Sequence, residues 1–179
     1  MSLPKMTFKQ RPYPKTYIIQ HENPIHPQHQ HACAAFAAAF VLRHFSIPSE
    51  GATLDQHMPH KMNTGHVSPK GITASLKDHG LSVQYLKGSI HTLKHGVSLG
   101  HPVIVFMKAG KNDPTLHYAV VVGYDESYLY LADSLASEAH ETHRHYNRKI
   151  TLQEFQRLWN IKSLRMPFYS YTYFLMGIA

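Results

Sequence analysis

The chain has one cysteine, Cys33, near the start of the run His31-Ala-Cys-Ala-Ala-Phe-Ala-Ala-Ala-Phe-Val-Leu-Arg-His-Phe45. If that run is a helix, the thiol lies in its first turn. Free backbone N–H groups and the positive end of the helix dipole there favour a thiolate, the form that attacks an acyl carbon. Taken alone, a cysteine among alanines reads more simply as a small buried hydrophobe. A nucleophilic role needs a base, and a group that holds the base in place.

Both stand further along. His117-Tyr-Ala-Val-Val-Val-Gly-Tyr124 and Tyr128-Leu-Tyr-Leu-Ala-Asp133 are strand-like runs joined by the turn residues Asp125, Glu126 and Ser127. Opposed residues of an antiparallel pair have position numbers with a constant sum. A three-residue loop centred on Asp125 sets that sum to 250 and puts His117 opposite Asp133, to within one residue if the loop is shorter. A carboxylate there would fix the imidazole tautomer. Because the chain carries 16 histidines, a chance surface pair stands as the alternative. Gln28 and Gln30, five and three residues before Cys33, each offer an amide that could join the Cys33 N–H in an oxyanion hole. For either one, a solvated loop glutamine is the plainer reading.

The histidines also raise a rival chemistry. His26, His29 and His31 precede Cys33, and His140, His143 and His145 form a second cluster. Neutral imidazoles and a thiolate are ligands for zinc or copper, so a metal-binding or peptide-binding module without catalysis is the alternative class. Within these two clusters neither paired cysteines nor helical His at i and i+4 support it, and surface histidines titrating between about pH 5 and 7 rank above it. The Cys–His–Asp chemistry itself requires no metal or organic cofactor. The same three groups can also pass an acyl group to an amine or thiol, as an amidase or acyltransferase does.

The elements that must position these residues follow from periodicity. Residues 1–27 read as an extended N-terminal segment ahead of one domain over 28–179. Residues 31–45 predict a helix buried on nearly all sides. A short helix is expected over 54–60, and another from Ser68-Pro69 to Gly80. Leu81–Lys87 reads as a strand, Ser89–His95 as a short helix ending at Gly96, and Pro102–Lys108 as a strand. Arg144–Ile150 is a further candidate strand. Thr151-Leu-Gln-Glu154 is a capping box opening a helix to Trp159, and Phe168–Met176 closes the chain as a strand. Helices first and mainly antiparallel strands after them define an α+β class. The rings of Phe106, Tyr118 and Tyr124 are assigned to core packing.

Gln28 before Cys33 at a helix start, then Gly100-His-Pro-Val-Ile-Val, then His117-Tyr-Ala-Val-Val-Val-Gly-Tyr124 and Ala132-Asp-Ser134 resemble the papain-like bacteriocin-processing (double-glycine leader) peptidases and their standalone relatives. Cys33-Ala-Ala-Phe-Ala-Ala38 is similar to the papain nucleophile helix. The resemblance spans roughly Gln28 to Trp159. It implies a papain-like fold in which the central nucleophile helix packs on a mainly antiparallel sheet. It also implies a cysteine peptidase with Cys33 as nucleophile, His117 as base, Asp133 as orienting acid and Gln28 as oxyanion donor. Three positions depart from the family pattern. Ala34 stands where Gly usually follows the cysteine, Ser134 where Pro usually follows the aspartate, and Gln28 is five rather than six residues before the cysteine. They point away from a double-glycine substrate and towards a standalone member.

Composition sets the outer bounds. At 179 residues and 20.4 kDa, with 43% hydrophobic residues, the chain fits one domain with a real core. The +7 charge is dispersed, with no basic run or finger motif, so no nucleic-acid partner is indicated and a peptide or protein substrate is expected. A single cysteine excludes an intramolecular disulfide. The first residues show no apolar stretch of signal-peptide type, which gives a cytoplasmic expectation. The longest apolar run, Ala32 to Leu42, is about half of what a membrane span needs.

Overall fold

The Ala-rich run folds as α1 (Cys33–His44). Small side chains let its backbone lie close to a sheet: Ala35 and Ala38 are fully buried, and Phe40, Val41 and Leu42 extend the contact. Leucine in place of Ala38 would overfill that contact and cost about 1–3 kcal/mol. The computed structural model describes residues 12–162 and 168–179, so the first eleven residues of the N-terminal segment lie outside the described residues.

Around α1, the order is β1 (Tyr17–Ile18), α1, α2 (Gly51–Gln56), α3 (Pro69–Asp78), β2 (Leu81–Lys87), α4 (Ile90–Ser98) and β3 (Val103–Lys108). Then follow β4 (Leu116–Tyr124), β5 (Tyr128–Ala132), β6 (Arg148–Thr151), α5 (Leu152–Trp159) and β7 (Thr172–Ile178). The sheet runs β2-β7-β3-β4-β5-β6 with β1 added to β4, and among the described residues every strand pairing is antiparallel. The last strand of the chain is therefore interior, between β2 and β3.

Strand β3 is apolar on both sides because it is covered on both. Ile104 and Phe106 share a core with α1, with Leu54 of α2 and with Ile72 and Leu76 of α3. Val103, Val105 and Met107 share the opposite core with Leu93 and Val97 of α4 and Phe155, Leu158 and Trp159 of α5. Three layers result, and the start of α1 comes to lie at the sheet end where β4 begins.

The structure also refines the expected elements. The helix expected over 54–60 begins at Gly51 and ends at Gln56. Glycine is needed there, since a Cβ at residue 51 would meet the Phe36 ring at 2.6 Å. The strand expected from Arg144 begins only at Arg148, because the N–H groups of His140 and Glu141 both turn back to the Asn147 carbonyl. The last strand begins at Thr172 rather than Phe168, after Tyr171 takes a left-handed φ of 60°. The short strand β1 was not expected. It fits against β4 because residue 123 is glycine, whose Cβ would lie 2.8 Å from the Tyr17 carbonyl oxygen. Beyond β1 the chain stays tied down: Asn23 donates to the Phe40 carbonyl at 2.7 Å, and Arg43 reaches Asn23 at 3.0 Å and the Pro24 carbonyl at 2.9 Å.

Candidate active site

His117 is the second residue of β4, and Asp133 directly follows β5. Nε2 of His117 lies 2.6 Å from Oδ1 of Asp133, with both side chains buried. The pair is diagonal, not opposed. Opposed residues sum to 253 at Tyr124–Leu129 and to 252 at Val120–Ala132, with an irregularity between Val121 and Gly123. The expected constant of 250 is therefore too small. A loop of Asp125, Glu126 and Ser127 is centred on Glu126 rather than Asp125, which accounts for 252. Asp125 Oδ1 accepts the Ser127 and Tyr128 N–H groups, both at 2.7 Å, and closes the tip to Glu126-Ser127, where the sum is 253. Continuing that ladder puts Asp133 across from Ala119, with His117 two residues along on the same face. Diagonal neighbours on one face remain within reach of long side chains, so the contact forms in spite of the register.

Asp133 is held from several sides. Oδ1 also accepts the Leu135 N–H at 2.9 Å, and Oδ2 accepts from Arg148 Nη1 at 2.8 Å. Arg148, the first residue of β6, is itself buried and also pairs with Glu138 at 3.0 Å. Asn147 clamps the Asp133 backbone, accepting its N–H at 2.8 Å and donating to its carbonyl at 2.7 Å. Burial alone would raise the Asp133 carboxyl, but the charges of His117 and Arg148 and the hydrogen bonds hold it at about 2. Burial likewise opposes a charged His117. The Asp133 charge and hydrogen bond, with a hydrogen bond donated by the ring to the Cys33 sulfur, outweigh it and lift the imidazole to about 10. These contacts favour the protonated ring. With Nε2 on Asp133, Nδ1 is the nitrogen left to face the thiol.

Cys33 opens α1 as its first residue and is 5% exposed. No side chain caps this helix at Ala32, so first-turn N–H groups remain available to a ligand. Gln28 is tied to the same sheet end. Its N–H donates to the Ser134 carbonyl at 2.8 Å, and its Oε1 accepts from Ser134 Oγ at 2.8 Å. That orients the amide so that Nε2 donates to the Gln30 carbonyl at 2.7 Å. Gln30 has an exposed side chain and a left-handed φ of 30°.

Beside the thiol opens a chamber of about 460 Å³, walled by Met62, Val67, Phe106, Leu116, Tyr118 and Tyr169. Phe106 and Tyr118, assigned to the core from sequence, are buried as expected and also form its floor. Sequence reasoning passed over Arg148 and Asn147, and met Ser134 only as a departure from the family pattern. An arginine among 18 scattered Lys and Arg residues carries no signal until β6 is known to pair with β5.

Of the histidine clusters only His143 and His145 stay adjacent, with ring centroids 5.5 Å apart. His26 lies 3.3 Å from Glu50, His29 lies 3.8 Å from Asp55, and the rings of His31 and His66 are 4.5 Å apart. The rings of His143 and Tyr146 stack at 4.3 Å. Among the described residues no three His, Cys, Asp or Glu side chains are grouped to hold a metal ion. No helix among them is long and apolar enough to cross a membrane.

The three-layer fold and the helix-borne cysteine beside a buried His–Asp pair define the class of papain-like cysteine peptidases. The Peptidase_C39 like family matches residues 16–163, and the chain belongs to that family. No curated protein matches the chain. Among solved structures it is similar to the peptidase domain of Streptococcus ComA, a bi-functional ABC transporter involved in quorum sensing. That match has 20% identity and a TM-score of 0.67, and covers 89% of this chain and 100% of that one. A C39-like peptidase from Bacillus anthracis matches with 17% identity and a TM-score of 0.67, over 90% of this chain and 98% of that one. A double-glycine-motif protease from an AMS/PCAT transporter, solved with the leader peptide, matches with 14% identity and a TM-score of 0.63. It covers 90% of this chain and 98% of its own.

Proposed function

We propose that the chain hydrolyses peptide bonds through a thioester formed on Cys33. The observation that carries this is the buried 2.6 Å His117–Asp133 pair whose free ring nitrogen faces the thiol at the start of α1. Cys33 sulfur, as thiolate, adds to the scissile carbonyl carbon. The resulting oxyanion is received by the Cys33 N–H and Gln28 Nε2. As the C–N bond breaks, the His117 imidazolium gives its Nδ1 proton to the leaving amine. Water, deprotonated by the now neutral ring, then cleaves the thioester and releases the acid. Asp133 keeps the ring oriented and charged, and Arg148 and Asn147 keep Asp133 in place. The leader peptide bound by the AMS/PCAT relative supports a peptide as substrate. The test is digestion of a peptide library read by mass spectrometry. New termini are expected with the native chain and none with Cys33→Ala. Products that persist with Cys33→Ala would refute the assignment.

A further inference from the structure

The chamber beside Cys33 does not end at the thiol. At Ser68, Pro69 and Tyr169 it meets a second groove of about 650 Å³, along the outer face of α3, bounded by Lys70, Thr73, Lys77 and Tyr85. Lys70 and Lys77 are seven residues apart, two turns along one helix face, and both are exposed. Neither forms an ion pair among the described residues. The combined channel is therefore apolar along its length, with the nucleophile at one end and two lysines rimming the other.

The chamber walls are built rather than incidental. Tyr118 donates its hydroxyl to the Val67 carbonyl at 3.1 Å, and the Phe106 ring packs on Tyr118 at 4.5 Å and edge-on to Tyr169 at 5.5 Å. The bridge between Lys61 and Val67 closes the loop that carries Met62 over the opening. A space of this size accepts a whole leucine or phenylalanine side chain, whereas glycine would leave it unfilled. Its position also fixes which side of the substrate it serves. Cys33, whose sulfur bonds the acyl carbon, lines the chamber, so the acyl portion of the peptide is assigned to it.

We propose that this enzyme selects peptides with a bulky apolar residue at the acyl-side position beside the scissile bond, or the next one, and an acidic residue further along the acyl side to meet Lys70 and Lys77. This deepens the assignment of Cys33 as nucleophile and rests on it. It sets the chain apart from an enzyme that recognises paired glycines.

Peptide aldehydes test it without requiring turnover. The Cys33 S–H adds across the aldehyde C=O, with sulfur bonding carbon and the proton passing to oxygen, so the probe reports the acyl side alone. A panel of N-acetyl tetrapeptide aldehydes would carry Leu, Phe, Gly or Asp at the two positions next to the aldehyde, and Glu, Lys or Ala at the outer two. Inhibition constants come from competition with iodoacetamide labelling of Cys33. Leu or Phe at one of the inner positions is expected to bind about 10–100-fold tighter than Gly, the range set by burying one such side chain. An outer Glu is expected to add about two- to fivefold over Lys, and Lys70→Glu/Lys77→Glu should invert that order. Met62→Arg, at an exposed position of the chamber wall, should erase the Leu-over-Gly preference. Equal binding of Gly and Leu probes, or preference for Gly, overturns the proposal while leaving the nucleophile intact. Failure of every aldehyde to protect Cys33 overturns both.

Discussion

The two sides of the site are built by different means. The base side is carried on three adjacent strands: His117 on β4, Asp133 at the end of β5 and Arg148 at the start of β6 form one buried, hydrogen-bonded row. The nucleophile side is a helix start reached through a loop. There Gln28 is held by two bonds to Ser134 and Gln30 sits exposed in a left-handed conformation. Strand register fixes the first arrangement over a long range. The second depends on a few local hydrogen bonds. Under the proposed mechanism the sheet sets the charge pair and the loop sets the oxyanion donors.

Removing a link on each side sharpens the contrast. Arg148→Met strips a buried cation from Asp133 and leaves Glu138 without its partner. A loss of about 3–5 kcal/mol in denaturant unfolding is expected, the size typical of breaking a buried pair. A loss under about 1 kcal/mol would mean the row is not a stability element. On the loop side, Gln28→Ala should leave the melting temperature nearly unchanged and lower kcat by about 10²–10³-fold, as loss of an oxyanion donor does. Gln30→Gly relieves a left-handed residue, worth about 1 kcal/mol of added stability, with kcat retained. If Gln30→Ala abolishes activity and Gln28→Ala does not, the roles of the two amides are reversed.

Smaller in size, but more specific to the sheet side, is the pH dependence of stability. The folded His117 titrates near 10 against an ordinary value of 6.5, so the native state holds this proton more tightly. Its contribution is complete below about 6.5 and is lost as pH rises through 10. Asp133, lowered from 3.8 to about 2, contributes above 3.8 and loses that contribution as pH falls through 2. Unfolding free energy should therefore decline from pH 6.5 to 10, and His117→Gln should flatten that decline. An unchanged slope in the variant would assign it to other groups.

What the sequence disclosed follows the same division. The Ala-rich helix and the hairpin strands were legible because periodicity and turn residues are local signals, and the catalytic candidates sit on them. The hairpin sum was off because the turn is centred on Glu126 rather than Asp125, and the Asp125 side chain tightens its tip by one more, a detail no propensity reports. The chance that His117 and Asp133 still met lay in their shared face. Arg148 and the Asn147 clamp were invisible because they act only once β6 returns to β5 after the irregular stretch from residue 133 to 147. The chamber was hidden for a related reason: it joins a loop at 62–69, two strands and Tyr169, which are distant in sequence. The interior place of β7 likewise rests on pairing with β2, more than eighty residues earlier.

The central claim is that His117, held as a cation by Asp133, faces an activated thiol at Cys33. Alkylation of this single cysteine by iodoacetamide from pH 4 to 9 measures that directly. Rapid labelling already near pH 6, slowed to free-thiol rates in His117→Ala, is the predicted result. A thiol that reacts only above about pH 8, as an ordinary cysteine does, and is indifferent to His117→Ala would contradict it.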